Sequence, residues 1–166
     1  MNFYYSHGRT AFKYGLKYLD LKKNDKILIP EYVCDILLDP LYDLKIKPVF
    51  YKITDNFICD FESIKKKWNK SVKALLLINY FGFEEDKKKY LNFFKKKNIF
   101  LIEDSCHSFN LNFRKKHKSS DIIFYSPKKI IPELYSGGLL KIKKKNKNNV
   151  ILKKKLIFYK VSFYQL

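Results

Sequence analysis

The chain has 166 residues, of which 46% are hydrophobic and 31% charged. This composition excludes a disordered or fibrous chain and suits a single domain with a buried core. The longest apolar run, around residues 74–78, is too short to span a bilayer, and the amino terminus lacks the regions of a secretory signal. The cysteines Cys34, Cys59 and Cys106 form no CxxC pair, so we expect no disulfide framework and no zinc site. The simplest expectation is a cytoplasmic protein without metal ligands or membrane attachment.

The net charge of +19 invites a nucleic-acid-binding interpretation. However, only Arg9 and Arg114 are arginine, and the other 33 of the 35 basic residues are lysine. Proteins that read nucleic acid usually rely on arginine for bidentate and stacking contacts. The lysines also occur in scattered triplets, which favours solvated surfaces over a specific nucleic-acid site. A basic module that binds polyanions remains the alternative interpretation of this charge.

Helix and strand patterns alternate along the chain. In chain order, the sequence first predicts a helix over Ala11–Leu21 with Thr10 as its N-cap, a strand over Lys26–Ile29, a helix over Tyr32–Leu44 bent at Pro40, and a strand over Pro48–Ile53. It then predicts a helix over Phe61–Trp68, a strand over Val72–Tyr80 and a helix over Glu84–Lys97. The last predicted elements are strands over Ile99–Ile102, Ile122–Tyr125 and Leu139–Ile142, and the start of a helix over Val150–Leu166. The alternation favours an α/β fold with a mostly parallel, doubly wound sheet.

Chemically useful side chains follow the strands of this predicted sheet, where the ligands of open α/β sheets gather. They are Asp104 and His107 after one strand, Ser126, Lys128 and Lys129 after the next, and Gly8, Arg9 and Thr10 at the start of the first helix. A helix N-terminus binds phosphate, a lysine bonds covalently to an aldehyde, and a buried aspartate holds a ring nitrogen protonated. The set suits an anionic, aromatic cofactor that carries a carbonyl group.

Six segments in the same order resemble the DegT/DnrJ/StrS family of pyridoxal-phosphate enzymes. They are GRTAF (Gly8–Phe12), DKILIPEYVCD (Asp25–Asp35), KPVFYKI (Lys47–Ile53), NYFG (Asn79–Gly82), LIEDSCHSF (Leu101–Phe109) and SDIIFYSPKKIIPELYSGG (Ser120–Gly138). The resemblance implies a three-layer α/β/α fold like the large domain of fold-type I enzymes, with pyridoxal 5'-phosphate as the cofactor. Members of the family are more than twice as long, so it also implies that residues 1–166 are a truncated large domain and that a carboxyl-terminal small domain is absent.

The resemblance assigns the two catalytic roles to Asp104 and Lys129. Asp104 occupies the position of the acid that contacts the pyridine nitrogen. Lys129 occupies the position of the lysine that bonds covalently to the cofactor, since Asp121 precedes it by eight residues and Gly137 follows it by eight. Lys128 is the second candidate for this lysine. A sister branch of the family has histidine at the lysine position and catalyses dehydration, so a lysine here favours amino-group transfer.

The remaining cofactor contacts also follow from the resemblance. His107 would lie against the ring or its phenolic oxygen, and Ser126 would bind the phosphate. Arg9 and Thr10 match the loop whose backbone and hydroxyl group hold that phosphate. Many relatives carry an aromatic residue that stacks on the ring, whereas this chain has Cys34 at the expected position.

The function implied by the resemblance is transfer of an amino group from an amino acid, expected to be glutamate, to a nucleotide-linked keto-sugar. Such reactions serve the synthesis of surface polysaccharide, including lipopolysaccharide. The family builds its active site across a homodimer interface, so a homodimer is expected for the complete protein. Two alternatives stay open at this point: a non-catalytic, degenerate fragment that keeps the fold, and the polyanion-binding module suggested by the charge.

Overall fold

A computed structural model of the chain describes residues 1–95, 97–108, 119–131 and 133–143. Within these ranges, seven strands form one sheet against which four helices pack. The strands are β1 (Asn2–Tyr5), β2 (Lys26–Pro30), β3 (Lys47–Tyr51), β4 (Val72–Ile78), β5 (Phe100–Asp104), β6 (Ile122–Tyr125) and β7 (Gly138–Ile142). The helices are α1 (Gly8–Tyr18), α2 (Asp39–Leu44), α3 (Phe61–Lys67) and α4 (Lys88–Phe94). Short 3-10 turns cover Asp35–Leu37, Tyr80–Gly82 and Pro127–Lys129.

The strand order β1-β7-β6-β5-β4-β2-β3 places the end of β5 near the middle of the sheet. Strands β2 to β6 are parallel, while β7 runs antiparallel to both β6 and β1. Asp104, the last residue of β5, pairs with Ile78 of β4 and with Phe124 of β6. The segments that follow these three strands therefore emerge side by side at one edge of the sheet, which is where a ligand site is expected.

Each face of the sheet has its own hydrophobic core. Ile27 and Ile29 of β2 pack on the same side as Phe12 of α1. Leu28, between them in sequence, faces the other side and packs with Ile64 of α3. This two-residue alternation buries both faces of the parallel strands, as the apolar runs in the sequence predict. The three-layer α/β/α architecture is thereby confirmed.

Several element boundaries differ from the sequence predictions. The single helix predicted over Tyr32–Leu44 is instead a 3-10 turn followed by α2. Pro40 lies in the first turn of α2, where its missing N–H group removes no helical hydrogen bond. Helix α1 begins at Gly8, so Thr10 lies inside the first turn and is not the N-cap. Strand β1 was not predicted, because its residues are half-buried or exposed and carry little periodic signal.

The described ranges contain no helix with the length and apolar character needed to cross a bilayer. They also contain no group of three or more histidine, cysteine, aspartate or glutamate side chains arranged to hold a metal ion. Arg114 and the predicted helix start at Val150–Leu166 lie outside the described residues.

The backbone at the start of β7 lies in direct contact with the backbone at the start of α1. A Cβ atom at Gly138 would lie 2.1 Å from the carbonyl oxygen of His7, and a backbone atom cannot rotate away. We therefore expect Gly138→Ala to lower the free energy of unfolding by about 3 kcal/mol, the upper range for overpacking. Gly15→Ala is the matched control, since its Cβ would meet the mobile end of the Ile122 side chain and alanine favours the helix. Chemical denaturation measures the free energy of unfolding of both variants. An equal decrease in the two variants would contradict the backbone clash at Gly138.

Candidate active site

A cavity of about 520 Å³ opens at the edge of the sheet where β4, β5 and β6 end. Its volume lies in the usual range for small-molecule sites. It brings together most of the site residues predicted from the sequence: Arg9, Asp104, His107, Ser126, Lys128 and Lys129. Thr10 lies in the first turn of α1 but does not line the cavity. Residues that are distant in the sequence thus share one pocket because parallel strands end at the same edge.

Asp104 presents a buried carboxyl group to the cavity floor. Its Oδ1 atom accepts a hydrogen bond of 2.8 Å from the backbone N–H of Cys106, which fixes the orientation of the side chain. Burial raises the pKa of this carboxyl, while the Cys106 N–H and the positive charge of Lys129 act in the opposite direction. A cationic group bound beside Asp104 would offset the cost of burying its negative charge.

His107 lines the cavity and packs against the aromatic side chain of Phe81. Its ring is nearly parallel to that of Phe81, with 6.1 Å between the ring centroids and 28° between the planes. Burial lowers the pKa of His107, the charge of Lys129 lowers it further, and Asp104 opposes both effects. Near neutral pH the imidazole is therefore uncharged, and one ring nitrogen can accept a hydrogen bond.

Ser126 and the two candidate lysines follow β6 in a short 3-10 turn. The carbonyl oxygen of Ser126 accepts a 3.0 Å hydrogen bond from the backbone N–H of Lys129, which closes this turn. Lys128 and Lys129 both line the cavity. Their electrostatic influence differs, because Lys129 acts on Asp104 and His107, whereas Lys128 acts on His7. Of the two lysines, Lys129 is thus the one whose charge lowers the pKa of the buried acid.

The N-terminus of α1 forms a cradle of backbone against the cavity. A Cβ atom at Gly8 would lie 2.9 Å from the Sγ atom of Cys106 and 3.2 Å from the Cβ atom of Ser126. Glycine at this position lets the first turn of α1 approach the ends of β5 and β6. The free N–H groups of an 11-residue helix then point towards the pocket, which favours a bound anion.

Some lining residues were not singled out from the sequence. Tyr80 is buried at the cavity wall, and its hydroxyl group donates a hydrogen bond to the backbone carbonyl of Tyr32. Cys106 and His7 also line the pocket. The position of Tyr80 directly after a buried strand was the available signal. His7 precedes a helix that the sequence predicted to start later, so its placement could not be foreseen. Cys34 does line the cavity, as the resemblance requires.

A second buried network supports Asp104 from the opposite face of the sheet. Glu103 is only 1% exposed, and its Oε2 atom lies 2.9 Å from the ammonium nitrogen of Lys87. Its carboxylate also accepts hydrogen bonds from Ser120 and from the amide of Asn79. The same amide donates to Ser105, and the Asn79 backbone N–H donates to the Asp104 carbonyl at 2.9 Å. The end of β5 is therefore tied to the loop after β4 on both sides of Asp104.

Removing the cation of this network should destabilise the fold. Burial alone would lower the pKa of the Lys87 ammonium, but the ion pair with Glu103 outweighs it and raises the pKa. We expect Lys87→Met to reduce the free energy of unfolding by about 2 kcal/mol, because Glu103 keeps its Ser120 and Asn79 donors but loses its counter-charge. The difference in free energy of unfolding between wild type and Lys87→Met should become smaller at strongly alkaline pH, because Lys87 of the wild type loses its proton there. Denaturant titrations at several pH values measure this.

Lys13→Met is the matched control for Lys87→Met. Lys13 forms an ion pair with Asp43 at the surface, where both side chains are partly exposed. Exposed pairs contribute under about 1 kcal/mol. An equal decrease in the free energy of unfolding of the two variants would show that the buried Lys87–Glu103 pair stabilises the fold no more than a surface ion pair does.

Comparisons with known proteins agree with the geometry. The profile of the DegT/DnrJ/EryC1/StrS aminotransferase family matches residues 4–146. A curated protein, the GDP-4-keto-6-deoxy-D-mannose 3-dehydratase of Escherichia coli O55:H7, is 30% identical over 97 residues. That alignment covers 58% of this chain and 25% of the relative.

Solved structures show the same fold. An aminotransferase from Psychrobacter cryohalolentis superposes with a TM-score of 0.76 at 18% identity, over 86% of this chain and 38% of that structure. The E. coli GDP-4-keto-6-deoxy-D-mannose-3-dehydratase with bound hydrated PLP superposes with a TM-score of 0.73 at 22% identity, over 86% and 39% of the two chains. The chain thus spans a quarter of the curated relative and about two fifths of these structures.

Proposed function

Because this chain belongs to the DegT/DnrJ/EryC1/StrS aminotransferase family, we propose that it binds pyridoxal 5'-phosphate and transfers an amino group from glutamate to a nucleotide-linked keto-sugar. The observation that carries the proposal is the single cavity that holds both Asp104 and Lys129. An acid and an amine 25 positions apart in the sequence line the same pocket, and the charge of Lys129 acts on the Asp104 carboxyl. This juxtaposition is what the cofactor's ring nitrogen and aldehyde require of a protein.

The cavity fits the cofactor at three points. The buried Asp104 carboxylate favours a cationic partner, which a protonated pyridine nitrogen provides. The glycine cradle at the start of α1 leaves room and backbone donors for a phosphate. Ser126, Lys128 and Arg9 add a hydroxyl group and positive charge nearby. The chemistry of the side chains therefore matches the two charged ends of the cofactor.

Pyridoxal 5'-phosphate supplies an electrophilic aldehyde and a ring that accepts electrons when the donor's α-proton is removed. Asp104 would hold a proton on the ring nitrogen, which keeps the ring electron-poor. Lys129 would hold the cofactor at its aldehyde carbon through the Nζ atom, and its free amine would move a proton between the donor's α-carbon and the C4′ carbon. His107 would accept or donate a hydrogen bond at the ring's phenolic oxygen. Arg9, Ser126 and the backbone N–H groups at the start of α1 would hold the phosphate, whereas Thr10 lies outside the cavity.

Amino-group transfer is favoured over dehydration by the lysine in the cavity. The curated relative named above is a dehydratase, and the branch of the family that dehydrates sugars carries histidine at the position of Lys129. Incubation of the complete protein with glutamate and a GDP-linked 4-keto-sugar separates the two reactions. We expect 2-oxoglutarate and an amino-sugar in equal amounts. A deoxy keto-sugar released with ammonia would identify a dehydratase instead.

The proposed partners are an amino-acid donor, a nucleotide-sugar acceptor and a second copy of the protein. The setting is cytoplasmic synthesis of surface polysaccharide, including lipopolysaccharide. In this proposal, residues 1–166 form the cofactor-binding large domain. Cofactor binding is therefore the property to test first in these 166 residues.

The test is covalent capture of the cofactor. Purified chain mixed with pyridoxal 5'-phosphate should develop the absorbance band of a lysine-bound cofactor. Borohydride reduction should then fix one cofactor per chain on the peptide that contains Lys129. Absence of both signals would favour the alternative of a non-catalytic fragment. Salt-dependent DNA binding at physiological ionic strength without the band would favour the polyanion-binding alternative.

A further inference from the structure

A buried carboxylate outside the cavity joins two loops that lead to it. The side chain of Glu85 is only 7% exposed, and its Oε2 atom lies 3.9 Å from the Nζ atom of Lys89. Its Oε1 atom accepts a hydrogen bond of 2.6 Å from the backbone N–H of Cys59, and its Oε2 atom accepts one of 3.1 Å from the hydroxyl group of Tyr90. The Glu85 backbone N–H donates to the side-chain oxygen of Asn79 at 3.4 Å. Because hydrogen bonds to a carboxylate are stronger than neutral ones, Glu85 ties the two loops to each other and to α4.

The first loop, residues 54–59, places the aromatic ring of Phe57. A hydrogen bond of 2.9 Å from the Phe57 N–H to the Thr54 carbonyl closes its turn. Cys59, whose N–H donates to Glu85, follows directly after this turn. The turn holds Phe57 at a φ angle of +58°, in the left-handed region that large side chains avoid. The position of the Phe57 ring therefore depends on how firmly the end of the turn is anchored.

The second loop, residues 79–85, places the ring of Phe81 on His107. Phe81 also has a left-handed backbone, with a φ angle of +53°. Its ring is nearly parallel to the His107 imidazole and meets the Phe57 ring edge to face, with 5.0 Å between the centroids and 86° between the planes. Strain of this kind persists where the surrounding structure fixes a side chain in place, and it concentrates at functional sites. The two loops thus form a continuous path of ring contacts that ends on a side chain of the cavity.

We propose that Glu85 is a positioning residue, which fixes both loops and thereby holds the Phe81 ring on the His107 imidazole. The Phe57 ring carries the effect of the carboxylate from the first loop to Phe81. Glu85 is not among the residues that line the cavity, so its effect on the site is indirect. The consequence for a cofactor rests on the proposed function, in which His107 forms a hydrogen bond to the phenolic oxygen of the ring.

Removal of the Glu85 carboxylate should loosen this path at its start. The Cys59 N–H would lose its charged acceptor, so the turn that carries Phe57 would no longer be tied to the second loop. The Phe57 ring would then stop bracing Phe81, and water would reach the face of the His107 imidazole that Phe81 covers. An effect at His107 is specific to positioning, since a merely structural carboxylate would alter stability and leave the surroundings of the imidazole intact.

The pKa of His107 is the quantity that reports this change. Burial is the largest cause of its lowered pKa, the charge of Lys129 lowers it further, and Asp104 opposes both effects. Both charged groups are retained in the variants, so a change in this pKa reports a change in burial. We expect Glu85→Ala to raise the pKa of His107 by about half a pH unit, towards its ordinary value. NMR titration of the cofactor-free chain measures it, with the His107 signal assigned by its absence from His107→Asn.

Two matched variants separate positioning from general destabilisation. Glu85→Gln should keep the wild-type pKa of His107, because its amide oxygen still accepts the Cys59 N–H. Glu62→Ala removes the acid of an exposed ion pair with Lys65 and should leave that pKa unchanged. A lower melting temperature of Glu85→Ala together with a wild-type pKa of His107 would overturn the inference, since the carboxylate would then only stabilise the fold.

The path through the rings is tested in chains that keep the carboxylate. Phe57→Leu and Phe81→Leu should each raise the pKa of His107. Adding Glu85→Ala to Phe81→Leu should raise it no further, because both changes interrupt the same path. Tyr42→Leu removes an exposed ring on α2 and should have no effect. An unchanged pKa in Phe57→Leu, or additive increases in the double variant, would contradict the path.

Covalent capture of pyridoxal 5'-phosphate is measured separately in the same chains. A chain that captures the cofactor on Lys129, but whose His107 has the same pKa in wild type and Glu85→Ala, contradicts this inference alone. A chain that shows the expected change at His107 but captures no cofactor contradicts the enzymatic proposal alone.

Discussion

Lys129→Ala should abolish covalent capture of pyridoxal 5'-phosphate, so that the absorbance band and the borohydride-fixed label both fall to background. The Nζ atom is the only part of this side chain that can bond to the aldehyde, and alanine removes it without touching the sheet. Where the complete protein is assayed, we expect amino-group transfer to fall on the order of a thousandfold or more, as for loss of other covalent groups. Spectroscopy and peptide mass mapping measure the first effect.

Lys128→Ala is the matched control, since Lys128 lines the same cavity one position earlier. It should keep the label on the Lys129 peptide, with weaker cofactor binding if its charge contributes to holding the phosphate. The reverse pattern would assign the covalent bond to Lys128. Retention of label in both variants would mean that a different lysine reacts, and the proposed site would be wrong.

Asp104→Asn should lower amino-group transfer by about a hundredfold or more, the scale found when one preorganised electrostatic contact is removed. The asparagine oxygen can still accept the Cys106 N–H, so the fold around it should be preserved. What disappears is the negative charge that holds a proton on the ring nitrogen. Covalent capture on Lys129 should persist, because it does not require that proton. Asp43→Asn, at the surface, should leave the rate unchanged.

The same substitution should stabilise the cofactor-free chain at neutral pH. Burial raises the pKa of Asp104, so its ionised form is disfavoured in the folded state relative to the unfolded state. Above the folded-state pKa this difference opposes folding, and it is relieved as the pH falls through that value. Asparagine carries no charge to bury. The melting temperature of Asp104→Asn should therefore exceed that of wild type at pH 7, and the gap should shrink at acidic pH. A lower melting temperature at pH 7 would contradict a buried, ionised Asp104.

The central part of the fold could be predicted from sequence because both faces of its strands are covered. The apolar run that forms β4 and the strand over Ile122–Tyr125 are nearly continuous in hydrophobic residues, as burial on both faces requires. Strand β1 lacked this signal, since it lies at the sheet edge and is held by pairing with β7. The segment from Tyr32 to Leu44 carries a helical stripe, yet it forms a 3-10 turn followed by α2, which packs against α1. Local patterns cannot report such long-range contacts.

The sequence could predict those residues of the candidate site that come directly after a buried strand. Asp104, Ser126 and Lys129 come directly after buried strands, so the sheet topology alone brings them together. Thr10 lies outside the cavity because α1 starts at Gly8, three residues earlier than the sequence pattern predicts. The contact between the rings of Phe57 and Phe81 could not be predicted, because both residues adopt left-handed backbone conformations that large side chains rarely adopt.

Glu103 and Asp104 are neighbours in sequence but serve opposite sides of β5, one in the ion pair with Lys87 and one in the cavity. Since side chains alternate along a strand, inserting or deleting one residue early in β5 would exchange the two acids. The cavity would then receive a longer carboxylate, and the shorter one would face Lys87. Natural variation in the length of the loop before β5 is therefore tolerable, whereas a length change within the strand would displace both the acid of the ion pair and the proposed catalytic acid in a single event.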